Sequence, residues 1–406
     1  MRILHVLETL SPRYGGPVSV VLALAEAQQQ GGHEVTIVTT NADHPRGTFR
    51  EPGWDTLKEG ALPVYYAPVQ FAPLRFSLRL ATCVKRTIAE FDIAHIHGLY
   101  RFPPTYAAWQ ARRQSVPYVM MPHGALDPYL YVRSTTSKIR FKRLYERCFD
   151  LPNLHAAGAI HYSTEEERER ASFLNLRAPS FVVPNGLDWA RYCELPARGA
   201  FRERCDLGEA PVVLFLGRLH SVKGLNLLIP AFDWLRRRIP DVQLVIAGPE
   251  NDDYGQKVRG WVRERRLESA VHFVGSLHGA DVVQAYVDAD VFALPSYTES
   301  FGMTVAEAMA CALPVVISDQ VNIHAEVSGV GAGVVSRCDA DEVAGALETL
   351  LRDPVRRHTM GEAGRRLVQA CYTWPAIVEA LTREYERVIT RTRGGTPDYA
   401  EPGEAS

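Results

Sequence analysis

Residues 291 to 311 read VFALPSYTESFGMTVAEAMAC. Val291 to Leu294 is a short apolar run suited to a buried strand, Pro295 ends it, and from about 303 to 311 Ala, Met and Glu favour helix. Glu299 therefore falls in a strand-to-helix loop at the carboxyl end of a strand, where open parallel sheets bind their ligands. The amides of Ser300, Phe301 and Gly302 open the helix, and unpaired amides at a helix N-terminus suit a phosphate or a sugar oxygen. Glu307 follows about two turns on, close to the same face, so both carboxylates can address one polyhydroxylated ligand. By spacing alone, the same residues also describe a capping loop with a solvated glutamate.

A second cluster adds positive charge. Residues 211 to 216 form a nearly continuous apolar strand that ends in Gly217 and Arg218, and the next helix is entered through Lys223 and Gly224. Two cations thus flank one strand-to-helix turn. A unit charge pair at about 4 Å and an effective dielectric of about 20 contributes roughly 4 kcal/mol, and a helix N-terminus adds to it. Such a turn can hold a diphosphate without a metal; surface cations paired with acidic neighbours are the bland alternative.

Gly217, Arg218, Lys223 and Gly224, followed by Pro295, Ser296, Glu299, Phe301, Gly302 and Glu307, resemble the retaining family 4 glycosyltransferases. The likeness runs from residue 1 to about 390. It implies an α/β GT-B fold, two Rossmann-like doubly wound domains facing an interdomain cleft. Pro122 to Asp127 and Ser318 to Ile323 further resemble bacterial enzymes that assemble exopolysaccharide, O-antigen or other surface glycans.

Composition fits that expectation. A chain of 406 residues is too long for one ordinary core and suits two domains. A hydrophobic fraction of 46% supports a globular protein, and a net charge of -2 gives no global reason to expect nucleic acid. The seven cysteines are scattered, without zinc-like spacing, and read as reduced cytosolic thiols. No apolar stretch approaches the roughly 20 residues of a spanning helix, and a strand-like run at Ile3 to Leu7 leaves no room for a signal peptide. The expectation is a cytoplasmic protein, soluble or at the inner face of the cell membrane.

Strand and helix patterns alternate. Strands are expected at 3–7, 35–39, 63–66, 93–96, 117–121, 156–160 and 180–183, then at 212–216, 242–247, 271–274, 291–294, 314–317 and 333–335. The N-terminal, acceptor-binding domain is assigned to 1–187 and the nucleotide-sugar domain to 188–374. The resemblance implies that a helix at about 375–390 crosses back to the first domain. Residues 391–406 read as a disordered tail, and neither domain carries a dinucleotide-binding glycine fingerprint.

In the first domain, Tyr14, Gly15, Gly16 and Pro17 follow the first strand, with glycines that allow close backbone approach and a proline suited to a first helical turn. The resemblance makes Gly15 and Gly16 acceptor-facing, with Gly16 also near the donor. It places His123, after the strand at 117–121, beside the donor sugar. His95 and His97 lie two apart on a strand and share a face, but no third metal ligand is evident. Asp288, Ala289 and Asp290 fit the Asp-x-Asp motif of metal-dependent transferases in letters only, since they immediately precede a buried strand. The run Glu165 to Arg170 reads as a solvated helix start.

The reaction this implies is transfer of a hexosyl group from a UDP- or GDP-linked sugar to a glycan or lipid-linked hydroxyl acceptor, with retention and no metal. Arg218 and Lys223 would stabilise the departing diphosphate, Glu299 the donor-sugar hydroxyls and Glu307 the ribose; Gly217 and the amides of Ser300, Phe301 and Gly302 complete the donor site. Two departures stand out: Gln320 to Glu326 replaces a glycine-rich loop, and Ala312 a glycine, both common in the family. Residues 133–147 are basic with Ile139, Leu144 and Tyr145 interleaved, and a second basic apolar stretch runs from Phe71 to Arg79; either suits an anionic membrane surface or ordinary packing. A sugar-nucleotide 2-epimerase on the same fold and a non-catalytic partner in glycan assembly are the rival readings.

Overall fold

The computed structural model describes residues 1–11, 16–43, 53–57, 62–129, 136–250 and 253–394. The chain forms two compact units: Met1–Gly186 together with Trp374–Ser406, and Leu187–Thr373.

The first unit is built on an eight-stranded sheet: β1 (Arg2–Val6), β2 (Glu34–Thr40), β3 (Gly53–Leu57), β4 (Leu62–Ala67), β5 (Ile93–His97), β6 (Tyr118–Met121), β7 (Ala159–Tyr162) and β8 (Ser180–Val182). Their order is β3-β4-β2-β1-β5-β6-β7-β8. Only β3, paired antiparallel to β4, departs from the parallel arrangement. Alternation along each strand sends residues to opposite faces. Ile3, Ile93 and Val119 pack with the helices Gly16–Gln30 and Trp374–Thr392. Leu4, Ala94 and Met120 pack with Leu78–Thr87 and Phe102–Arg113 on the other face. Covering both faces explains why these strands read as apolar runs.

The second unit carries six parallel strands: β9 (Val212–Leu216), β10 (Gln243–Ala247), β11 (Val271–Gly275), β12 (Val291–Leu294), β13 (Val315–Ser318) and β14 (Gly333–Ser336). The order is β11-β10-β9-β12-β13-β14, so the direction of winding reverses between β9 and β12. The loops leaving these two strands are therefore the topological switch point, where the flanking helices diverge and leave a crevice.

Several expectations shift. The strand expected at 156–160 is Ala159–Tyr162, because Leu151–His155 is a final helical turn capped at Ala156. The antiparallel strand at 53–57 was not anticipated: it is a short edge with no apolar alternation. Residues 391 and 392 belong to the last helix rather than to a tail, and 395–406 lie outside the described residues.

Ala312 explains its own oddity. It follows the helix Met303–Ala310 in the left-handed region, with φ at 54°, where glycine is the usual occupant because it carries no Cβ. Replacing Ala312 by glycine relieves a cost of about 1 kcal/mol or somewhat more, partly offset by glycine's greater freedom when unfolded. The expected outcome is a net gain of about 0.5–1 kcal/mol, measured as a higher midpoint in urea unfolding followed by tryptophan fluorescence.

Candidate functional site

The site in the second unit is assembled at the switch point. Gly224 sits at φ 73°, and a Cβ there would lie 1.9 Å from the Pro295 carbonyl oxygen. Only glycine lets the loop after β9 approach the loop after β12 so closely. The Tyr297 amide donates to the Val222 carbonyl at 2.7 Å and locks the same approach. In consequence, the Lys223 ammonium forms an ion pair with the Glu299 carboxylate, both side chains 18% exposed.

Glu299 is held by its backbone. Its amide donates to the Gln320 carbonyl at 3.1 Å, and its carbonyl accepts from the Asn322 amide at 3.0 Å. The segment from Gln320 to Asn322 thus forms a parallel bridge to Glu299 through Val321. Gly302, at φ 88°, turns the chain into the helix Met303–Ala310. The Phe301 side chain is core, packed edge-on to Tyr372 with ring centroids 5.2 Å apart, which leaves only its backbone to a ligand. Arg218 is exposed and makes no hydrogen bond or ion pair among the described residues. A Cβ at Gly217 would meet only the Phe215 ring, at an ordinary contact distance of 3.8 Å.

Glu307 accepts a hydrogen bond from the Tyr286 hydroxyl at 3.0 Å. Burial pushes its carboxyl up to about 7, against the hydrogen bond from Tyr286 and the Arg191 charge, which pull it down. Tyr286 and Arg191 were not among the sequence candidates, since they lie far from Glu307 in the chain. Sequence reasoning also gave no role to the Ser296 and Asn322 side chains, whose Oγ and Oδ1 are buried and find no partner among the described residues. Unlike these groups, Asp288 and Asp290 are structural. Asp288 accepts from the amides of Gly199, Phe201 and Arg202, and Asp290 pairs with Arg198 and Arg202.

In the first unit, His123 follows β6 at φ 54°. The next amide, of Gly124, donates to Glu167 at 2.6 Å, and Glu167 also accepts from the amide and hydroxyl of Ser163. The expectation of a solvated helix start at 165–170 fails at this residue: Glu167 is buried and ties the His123 loop to the next helix. The clue was Thr164, three residues before Glu167, a capping-box spacing confirmed by the Glu167 amide bonding to Thr164 Oγ1 at 3.0 Å. A third histidine beside His95 and His97 also exists: strand pairing sets His5 opposite His95, and ring nitrogens of His5, His95 and His97 lie within 4.8 Å of one another. Strand register is invisible in sequence, which is why His5 escaped notice. Gly16 opens its helix in an exposed position with open space around it, while Gly15 lies outside the described residues.

Two sequence families divide the chain between them: a glycosyl transferase 4-like domain over residues 15–186 and glycosyl transferases group 1 over 200–367. Over 382 residues the chain is 30% identical to phosphatidyl-myo-inositol mannosyltransferase of Mycolicibacterium smegmatis, covering 92% of this chain and 90% of that one. The chain belongs to the group 1 glycosyltransferases. It is also 33% identical over 268 residues to D-inositol 3-phosphate glycosyltransferase of Kineococcus radiotolerans, covering 60% of this chain but only 61% of that relative's length. Sucrose-phosphate synthase from Thermosynechococcus elongatus superposes with a TM-score of 0.77 at 24% identity, over 96% of this chain and all of that one. That likeness establishes the GT-B fold. Neither relative's name involves exopolysaccharide or O-antigen.

In this glycosyltransferase the Glu307 carboxyl titrates near neutrality, and its sign is testable. Native Glu307 holds its proton up to about pH 7, whereas an unfolded glutamate releases it near pH 4.3. The native state therefore binds more protons between these values, so stability falls as pH rises through that window. Glu307→Gln keeps an acceptor for Tyr286 without the charge. We expect its unfolding midpoint to gain on wild type between pH 5 and 8, by at most about 1.4 kcal/mol per pH unit. Parallel urea titrations at several pH values measure it.

Proposed function

We propose that the protein transfers a hexosyl group, with retention, from a nucleotide-diphosphate sugar to a hydroxyl of a lipid-linked acceptor at the cytoplasmic face of a membrane. The observation that carries the donor half is the Lys223–Glu299 ion pair at the β9–β12 switch point, with Arg218 exposed beside it. Two cations at one turn supply the charge that a metal would otherwise bring to a departing diphosphate. In this reading Lys223 and Arg218 face the diphosphate, and Glu299 accepts from donor-sugar hydroxyls. Ionised Glu307 accepts from the ribose, while Gly217 and the amides of Ser300, Phe301 and Gly302 line the donor. His123 lies by the sugar, and Gly15 and Gly16 face the acceptor.

The acceptor half rests on the first unit. A cavity of about 690 Å³ is lined by Leu74, Phe102, Trp109, Phe141, Leu144 and Phe149, among others. Phe141, Leu144 and Phe149 are each more than half exposed, a concentration of apolar surface that solvent alone does not favour. Arg112 lines the cavity, and Arg143 and Arg147 are exposed on the helical segment that carries Phe141 and Phe149. Apolar walls with a basic residue among them fit the acyl chains and the anionic headgroup of a lipid. Of the basic segment at 133–147, residues 133–135 lie outside the described residues. Among the described residues no helix is long and apolar enough to cross a membrane. The relatives' names add an inositol-bearing acceptor as the class to try first, and a mannosyl group as the first donor sugar.

Nucleotide diphosphate release from UDP-, GDP- and ADP-sugars, with chelator present and phosphatidylinositol or inositol phosphate as acceptor, tests this reading. One donor should be turned over with the lipid acceptor, and Lys223→Ala and Glu299→Ala should each lose about 10²-fold or more in kcat. Sugar epimerisation without transfer, or donor binding with no turnover on any acceptor, would overturn it. Phe141→Asp with Leu144→Asp should abolish co-sedimentation with anionic vesicles and transfer to lipid, leaving donor binding intact; glycosylation of inositol phosphate alone would remove the lipid half.

A further inference from the structure

A buried polar layer crosses the apolar face of the first sheet. The Nε2 atom of His161 lies 2.8 Å from the Val183 carbonyl, and its Nδ1 lies 3.3 Å from Nε2 of His95. Nδ1 of His95 meets the Tyr385 hydroxyl at 2.8 Å, and that hydroxyl meets the Gln28 amide nitrogen at 3.2 Å. Gln28 Oε1 is 2.7 Å from Nε2 of His5, whose Nδ1 is 2.8 Å from Nε2 of His97. Nδ1 of His97 then meets Nε2 of His123 at 3.0 Å. Tyr385 stands on the last helix and Gln28 on the first, so both helices that cover this face join the layer.

Only one arrangement of protons satisfies this chain. A carbonyl only accepts, so His161 must carry its proton on Nε2, and, being neutral, it accepts at Nδ1. His95 must then donate from Nε2 and accept at Nδ1. The one proton of Tyr385 is thereby committed to His95, so its oxygen accepts from the Gln28 amide group, and Gln28 Oε1 is turned toward His5. His5 donates from Nε2 and accepts at Nδ1, His97 does the same, and so does His123 at Nε2. The neutral state this requires agrees with burial, which pushes His5 and His161 down to about 4 and His123 to about 3, and holds His95 and His97 well below the usual range.

We propose that this relay, set by the Val183 carbonyl and passed through Tyr385 and Gln28, fixes His123 as its Nε2–H tautomer and leaves its Nδ1 lone pair as the acceptor offered to a ligand hydroxyl. The role of the ligand rests on the glycosyltransferase reading above; the relay itself does not. Tyr385, Gln28, His5 and His97 are positioning residues. Tyr385 is the decisive link, because without its hydroxyl the Gln28 amide is released to turn over. A turned Gln28 donates to Nε2 of His5, which reverses His5, His97 and His123 together to Nδ1–H while His95 and His161 stay as they are.

The ring-nitrogen shifts of 15N-histidine-labelled protein in long-range 1H–15N spectra at pH 7 read tautomers directly. The five rings should all be neutral Nε2–H in wild type. In Tyr385→Phe, His5, His97 and His123 should shift toward Nδ1–H, with His95 and His161 unchanged. Val388→Ala, a packing change on the same helix face, should leave all five alone. An Nδ1–H ring among the five in wild type, five unchanged rings in Tyr385→Phe, or stoichiometric zinc held by His5, His95 and His97 would each overturn the relay. Tautomers that behave as stated in a protein that binds no nucleotide sugar would support the relay and refute the functional reading instead.

Discussion

The contact between Gly224 and the Pro295 carbonyl constrains everything at the switch point. With a Cβ at 224 the oxygen would stand 1.9 Å away, so the two loops would have to part. Parting them would separate Lys223 from Glu299, whose pairing needs both loops at once. The backbone bonds from Glu299 to Gln320 and Asn322 extend the constraint to the loop after β13. Three consecutive strand ends are thus tied by main-chain contacts, and the charges ride on them. A site positioned by backbone tolerates exchange of the side chains around it, those of Gln320 to Ile323 included.

Within that frame the two carboxylates differ. Glu299 is ion-paired with Lys223 across the two loops. Glu307 is half-buried beside a tyrosine hydroxyl, and desolvation of its carboxyl outweighs that hydrogen bond and the Arg191 charge. Similar letters in one motif therefore give one carboxylate paired with a cation and one whose carboxyl burial pushes up to about 7. The difference arises from Tyr286 and Arg191, on segments that the motif does not contain.

That contrast marks how far the sequence was legible. Apolar runs of four to six residues, ended by Gly217 or Pro295, identified β9, β12 and the loops that follow, because strand and stop signals are local. The fold class followed from their alternation with helices. Partners on distant segments were not legible: His5 opposite His95, Tyr286 beside Glu307 and Glu167 under Gly124 each depend on register or helix packing. Glu167 was the exception that local reasoning had within reach, since the Thr164 spacing announces a capping box, yet its neighbours Glu165, Glu166 and Arg168 made the whole turn look solvated. Phe301 was expected to offer its backbone amide to a ligand, and its ring, to which the motif gave no role, packs edge-on to Tyr372 in the core.

The histidine layer shows why such long-range partners matter to chemistry as well as to folding. A buried imidazole left without partners costs roughly 1–3 kcal/mol per unsatisfied group, so a row of them persists on an apolar face only when their nitrogens are matched. Matching neutral rings end to end leaves no local choice of proton position, and direction must come from a group that only accepts. The Val183 carbonyl is such a group, and the single proton of Tyr385 carries its direction across to the other helix. The electronic character of a loop histidine is then decided at the far end of the sheet. Conservative changes on the last helix can therefore alter His123 while leaving every atom of its own loop in place.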